Sequence, residues 1–87
     1  MARVAVVTGG TRGIGGMVSE RLKDRGYQVA AIYGGNDEAA QKFKKETDIP
    51  VYKVDVSDFD ACQKGVAQIE KDLGPVEILV NNAGITR

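Results

Sequence analysis

The hydrophobic positions of this chain fall into short apolar runs separated by longer stretches in which charged side chains are frequent. The runs occupy residues 4–7, 29–32, 51–54 and 76–80. Such runs, rich in β-branched side chains, are typical of strands that are buried on both faces of a sheet. Lys53 interrupts the third run, which indicates an edge strand, because a charge at an edge discourages aggregation.

The stretches between the runs have the spacing of amphipathic helices. The first predicts a helix that ends at Gly26 and buries an apolar face. That face would consist of Ile14, Met17, Val18 and Leu22. The second stretch predicts a short helix that either Asn36 or Asp37 can cap. Its apolar positions are Ala39, Ala40 and Phe43.

The third stretch has the clearest amphipathic pattern of the chain. Ser57, followed three residues later by Asp60, resembles a capping box and predicts the start of a helix there. Gly74 and Pro75 predict its end. The apolar stripe, at steps of three and four, contains Phe59, Cys62, Val66, Ile69 and Leu73.

The predicted order βαβαβαβ, with short connections, indicates an α/β fold with a parallel sheet and right-handed crossovers. In a nucleotide-binding, Rossmann-type arrangement, the strands would lie in the order 3-2-1-4, and the sheet would stop after the fourth strand. The switch point would then fall between the first and fourth strands. The segments that follow these two strands would border one crevice.

The segment after the first strand is "VVTGGTRGIGG", residues 6–16. The glycines are Gly9, Gly13 and Gly15, preceded by Thr8. The pattern G-x-G-x-x-G, if it began at Gly13, would need a glycine at position 18, which is valine. The segment is not a P-loop either, because no Gly-Lys-Ser/Thr follows. A flexible turn without a ligand is one interpretation. The strand before it and the helix after it favour a phosphate site, where unpaired helical amides attract an anion and the bare backbone admits it.

Composition excludes several classes of function. Twelve basic and twelve acidic residues cancel, so charge gives no reason to expect nucleic acid or an anionic membrane as partner. Charged residues keep every apolar stretch far shorter than a membrane span, and the first residues lack the layout of a signal peptide, so we expect a cytoplasmic protein. The single Cys62 excludes an internal disulfide, and the absence of histidine removes the commonest metal ligand, so no metal site is predicted.

Three motifs together resemble those of the short-chain dehydrogenases/reductases. The glycine signature of that family stands at residues 8–15, its Asp-Val pair at residues 55–56 after the third strand, and its Asn-Asn-Ala-Gly motif at residues 81–84 after the fourth. The resemblance extends over the whole chain. It implies an oxidoreductase with a nicotinamide cofactor and, from "VYKVDVSDFDACQ" and "NNAGITR", a 3-ketoacyl thioester as the substrate of the full-length protein.

The resemblance also implies which residues bind the cofactor. Asp55 would hold the adenine amino group. If Ser57 caps the following helix, the Asp55 carboxylate is not needed as a cap and is available for this contact. Asn81 would tie neighbouring strands, and the backbone at Ala83 and Gly84 would line the cofactor. The complete set is Gly9, Thr11, Arg12, Gly13, Ile14, Gly15, Tyr33, Gly34, Gly35, Asp55, Val56, Asn81, Ala83 and Gly84.

The residues after the second strand indicate NADP rather than NAD. NAD-specific folds place a carboxylate there for the ribose 2′-hydroxyl, whereas residues 33–36 read Tyr-Gly-Gly-Asn. The absence of an acid permits a 2′-phosphate, and Arg12 is a candidate partner for it. The alternative is that Arg12 is a solvated loop charge. Asp37 lies just beyond and is interpreted as a helix cap.

The catalytic residues of the family are absent from this chain. They are a serine, a tyrosine and a lysine four residues after that tyrosine, and no Tyr-x-x-x-Lys occurs here. We therefore expect residues 1–87 to be the NADP(H)-binding, amino-terminal portion of a longer reductase, without turnover alone. A nucleotide-binding module without catalysis remains an alternative. So does a folding unit without ligand, which would self-associate through the apolar edge of its fourth strand.

Overall fold

A computed structural model describes residues 3–11 and 13–82 of the chain. Strands and helices alternate along it, as the apolar runs predict. The elements are β1 (Val4–Thr8), α1 (Gly13–Asp24), β2 (Gln28–Tyr33), α2 (Asp37–Thr47), β3 (Val51–Lys53), α3 (Phe59–Leu73) and β4 (Val76–Asn81).

The strands form one parallel sheet in the order β3-β2-β1-β4. This confirms the Rossmann-type order predicted from the sequence. β1 lies inside the sheet and all five of its residues are buried, which agrees with its uninterrupted apolar run. β3 is an edge strand, so the interpretation of Lys53 is also confirmed.

The core consists of one apolar layer on each face of the sheet. On one face, Val6 and Ile32 pack with Ile69 of α3. On the other face, Val7 packs with Phe43 of α2 and with Ile49. Because β1 contributes alternate side chains to both layers, it links the two halves of the core.

The predicted buried face of α1 is wrong at its first two positions. Ile14 is 73% exposed and Met17 is 66% exposed. The buried residues of this helix are Gly15, Gly16 and Ser19. Small side chains let the helix backbone lie close against the sheet, so the first turn of α1 rotates its large apolar side chains outward. Val18 and Leu22, further along, are partly buried against the core as expected.

The predicted start of α3 is also wrong. Asp58, not Ser57, caps the helix, since its side chain accepts a hydrogen bond from the Ala61 amide at 3.2 Å. Ser57 instead donates its hydroxyl to Asp55. Phe59, placed on the buried stripe, is 74% exposed, whereas Ile69 is fully buried.

Of the two candidate caps for α2, the structure selects Asn36. The Asn36 side chain accepts a hydrogen bond from the Ala39 amide at 2.9 Å. Asp37 is therefore the first residue of the helix rather than its cap, and its carboxylate is left for other partners. Within the described ranges, no helix is both long enough and apolar enough to cross a bilayer.

The outward orientation of Ile14 on α1 can be tested by substituting it and, for comparison, the buried Ile69 of α3. Ile69→Ala should lower the free energy of unfolding by about 2–5 kcal/mol, because it leaves a cavity between α3 and the sheet. Ile14→Ala, also in a helix, should change it by no more than about 0.5 kcal/mol, since the side chain is mostly in solvent. Urea denaturation followed by circular dichroism measures both, and equal losses would contradict the observed orientation of α1.

Candidate functional site

The glycines after β1 form a turn that other residues could not form. Gly9 and Gly13 have φ angles of 64° and 62°, in the left-handed region that favours glycine. A Cβ atom on Gly15 would overlap the carbonyl oxygen of Gly9. The three glycines of the signature are therefore required by the geometry of this turn, which brings the first residues of α1 against the end of β1.

Gly10 and Ser19, which the sequence analysis did not select, hold this turn in place. A Cβ atom on Gly10 would lie 2.7 Å from the Val7 carbonyl oxygen and 2.8 Å from Ser19 Oγ. Ser19 is fully buried, and its hydroxyl lies 3.0 Å from the carbonyl oxygens of Gly10 and of Gly15. The sequence contains one signal for Ser19: it is a polar residue within the helical pattern, shortly after a double glycine.

The ends of β1 and β4 are joined by side chains. The Thr8 hydroxyl donates to Asn81 Oδ1 at 3.2 Å, which is the tie between neighbouring strands that the resemblance implied for Asn81. The side-chain amide of Asn82, a residue not selected from the sequence, donates through Nδ2 to the Gly9 carbonyl oxygen at 3.4 Å. The segment after β4 thus contacts the glycine turn directly.

The end of β2 lies on the other side of the turn. The Gly10 amide donates to the Ile32 carbonyl oxygen at 3.1 Å, one residue before Tyr33. Tyr33 ends β2, and the backbone at Gly34 and Gly35 is open: apart from their chain neighbours, no described residue has a heavy atom within 4 Å of where a Cβ atom would stand. Among residues 3–11 and 13–82, none near these two glycines blocks a ligand on the glycine turn from the end of β2.

Three polar side chains meet beside this opening. The Tyr33 hydroxyl donates to Asp37 Oδ1 at 3.0 Å, and Lys53 Nζ lies 3.3 Å from Asp37 Oδ2. These hydrogen bonds, from Tyr33 first and then from Lys53, hold the pKa of Asp37 below its usual value. Burial, and then the hydrogen bond to Asp37, raises the pKa of Tyr33.

Asp55, after β3, takes part in a local turn. Its Oδ1 atom accepts the Ser57 amide at 3.0 Å and the Ser57 hydroxyl at 2.6 Å. The hydrogen bond from the Ser57 side chain, followed by that from its amide, lowers the pKa of Asp55. The argument that a Ser57 cap leaves Asp55 available is therefore wrong, because Ser57 binds Asp55 itself. Val56 beside it is 47% exposed.

The structure brings most of the selected residues to one edge of the sheet. In a parallel sheet all carboxyl ends lie at the same edge. Residues 55–56, residues 33–35, the glycine turn and Asn81 therefore follow one another along that edge, in the order of the strands β3-β2-β1-β4. Thr11 is buried in the turn, and Ile14 is exposed. Arg12, Ala83 and Gly84 lie outside the described residues.

Gly15 and Gly34 provide a test of the turn geometry. Gly15→Ala should lower the free energy of unfolding by about 1–3 kcal/mol, because its methyl group has to displace the Gly9 carbonyl. Gly34→Ala should have little effect, since the space around it is open and its φ is not positive. Thermal unfolding of both variants measures this, and a fully stable Gly15→Ala protein would show that α1 lies further from β1 than described.

Comparison with known proteins gives consistent matches. The family model of the short chain dehydrogenases matches residues 3–87. Acetoacetyl-CoA reductases of Shinella zoogloeoides and Rhizobium meliloti are 62% and 63% identical over 87 residues. The chain is covered completely in both alignments but spans only 36% of the length of these relatives.

Solved structures agree with the fold. A short chain dehydrogenase from Bacillus anthracis superimposes with a TM-score of 0.84 at 30% identity, covering 92% of this chain and 35% of its own. A variant of actinorhodin polyketide ketoreductase with NADPH gives a TM-score of 0.86 at 32% identity, covering 93% of this chain and 33% of its own. The motifs, the sheet order and the matched family model lead to one conclusion: this chain belongs to the short-chain dehydrogenase/reductase family.

Proposed function

We propose that this chain binds NADP(H) through the glycine turn between β1 and α1. The observation that carries the proposal is the geometry of that turn: Gly9 and Gly13 are left-handed, Gly15 approaches the Gly9 carbonyl without a side chain, and the first two residues of α1, Gly13 and Ile14, are exposed. Within the described part of the chain, and apart from its chain neighbours and the backbone of its own helix, no residue has a heavy atom within 4 Å of where a Cβ atom of Gly13 would stand. The residues fit a diphosphate there, because the helix N-terminus supplies amide donors and a partial positive charge.

The residues along the sheet edge would bind the rest of the cofactor. Tyr33, Gly34 and Gly35 would contact the adenosine ribose, and Asp55 and Val56 the adenine. Gly9, Thr11, Gly13, Ile14 and Gly15 would hold the diphosphate, and Arg12 would be a partner of the 2′-phosphate. Asn81, Ala83 and Gly84 would border the cofactor on the β4 side. The lack of a carboxylate at residues 33–36 favours NADP over NAD, and the ketoreductase similar to this chain has NADPH in its structure.

The proposed role of residues 1–87 is that of the amino-terminal, cofactor-binding portion of a longer cytoplasmic reductase. The names of the similar proteins support acetoacetyl-CoA, or another 3-ketoacyl thioester, as the substrate of the whole protein. NADPH supplies the hydride in such a reduction. The tyrosine and lysine of the family's catalytic motif are not among these residues, so the chain alone is proposed to bind cofactor without turnover.

Titration calorimetry tests the binding. NADPH should bind the 87-residue chain, ADP should compete with it, and adenosine should bind at least about tenfold more weakly because it lacks the diphosphate. Acetoacetyl-CoA should cause no oxidation of the bound NADPH. Absence of heat or thermal shift with NADPH, NADH and ADP alike would contradict the proposal, and NADPH oxidation would contradict the lack of turnover.

Gly13 and Gly26 form a matched pair of variants for this titration. Both have positive φ angles, 62° and 95°, and open space around the missing Cβ atom, so alanine strains both positions similarly. Only Gly13 lies in the proposed diphosphate site. Gly13→Ala should weaken NADPH binding by about tenfold or more, whereas Gly26→Ala should retain it.

We also propose that the chain self-associates through β4. This strand is an edge of the sheet, and Leu79 on it is 63% exposed. Leu79 lies beside Val6 in the register of the sheet and so extends the apolar layer on the α3 face beyond the cover that α3 provides. An exposed edge with apolar side chains is a template for pairing with another chain.

Light scattering coupled to size exclusion tests the association. The chain at micromolar concentration should be larger than a monomer, and Leu79→Lys should make it monomeric because the charge opposes burial of that edge. Met17→Lys is the control, since Met17 is equally exposed but lies on α1. A monomeric unmodified chain, or dissociation caused only by Met17→Lys, would contradict association through β4.

A further inference from the structure

The cluster formed by Tyr33, Asp37 and Lys53 lies next to the glycine turn without being part of any of the three motifs. The connection is direct: the Gly10 amide binds the Ile32 carbonyl, and Tyr33 follows. Tyr33 is in register with Lys53 on β3, and the Val54 amide donates to the Tyr33 carbonyl oxygen at 2.9 Å. The cluster therefore occupies the place where β2 and β3 end and α2 begins.

A nucleotide with its diphosphate on the glycine turn extends its adenosine half along this edge of the sheet. The open backbone of Gly34 and Gly35 gives it passage. We propose that Lys53 binds the 2′-phosphate of NADP(H), exchanging its contact with Asp37 for one with the phosphate, and thereby selects NADP(H) over NAD(H). This inference rests on the proposed function and adds a specificity-determining residue to it.

The charges of the cluster support the exchange. The Lys53 and Asp37 side chains are 55% and 60% exposed, so their ion pair is weak and is broken at little cost. A phosphate carries more charge than a carboxylate and offers more acceptor oxygens, so it competes well for the ammonium group. Asp37 keeps the hydrogen bond from Tyr33 after Lys53 has moved.

Asp37 has a second effect in this arrangement. Its carboxylate lies at the same site, is charged at neutral pH as an ordinary aspartate is, and repels a phosphate. The affinity for NADP(H) then depends on the balance between Lys53 and Asp37. Removing Lys53 leaves only the repulsion between Asp37 and the 2′-phosphate, and removing the Asp37 carboxylate leaves only the attraction of Lys53 for it.

Calorimetry with NADPH and NADH, which differ only in the 2′-phosphate, tests the inference on the 87-residue chain. Lys53→Gln should weaken NADPH binding about tenfold and leave NADH unchanged, and Lys53→Arg should retain NADPH affinity. Asp37→Asn should strengthen NADPH binding several-fold, on the order of a single charge removed near the phosphate. Lys45→Gln is the control, because it removes one positive charge from the last turn of α2. It should change neither affinity.

The outcomes separate this inference from the proposed function. If NADPH and NADH both bind and Lys53→Gln leaves their ratio unchanged, the inference is wrong while the proposed function stands. If Lys53→Gln weakens both equally and lowers stability, Lys53 is only a tether between β3 and α2. If the unmodified chain binds NADH more tightly than NADPH, and Asp37→Asn removes NADH binding, the Asp37 carboxylate binds the ribose 2′-hydroxyl. The site then selects NAD(H), and the inference is wrong. Binding of neither cofactor overturns both proposals.

Discussion

The close approach of α1 to the end of β1 is the constraint on which the rest of the structure depends. Gly15 stands against the Gly9 carbonyl with no room for a side chain, and the buried Ser19 hydroxyl bonds the carbonyl groups beside it. This contact fixes where the first amides of α1 point. It also determines which face of α1 meets the sheet, and so leaves Ile14 and Met17 in solvent.

The elements and their order could be predicted from the sequence because each strand falls in a short, mostly apolar run, and parallel strands joined by helices have few allowed arrangements. The face of α1 that packs against the sheet could not be predicted in this way. Periodicity identifies the stripe with the largest apolar side chains, but a helix that has to touch a glycine turn presents its smallest residues instead. Gly15, Gly16 and Ser19 lie on the buried side for this reason.

The glycine positions of the site were predictable because backbone conformation demands them, whereas the polar contacts were not. Asp55, Ser57 and Asp58 can each cap a helix or close a turn, and only the geometry shows that Asp58 caps α3 while Ser57 binds Asp55. The contact between Asp37 and Lys53 depends on the register of β3 against β2, which composition and spacing do not determine.

The two proposed interactions use different parts of one sheet. Tyr33 and Lys53 lie at the ends of β2 and β3, on one side of the glycine turn, whereas Leu79 lies on β4, at the opposite edge. Because β1 separates these regions, a second chain paired with β4 would leave the ends of β2 and β3 uncovered. Asn82 joins the segment after β4 to the glycine turn between these regions, since its side-chain amide donates to the Gly9 carbonyl oxygen.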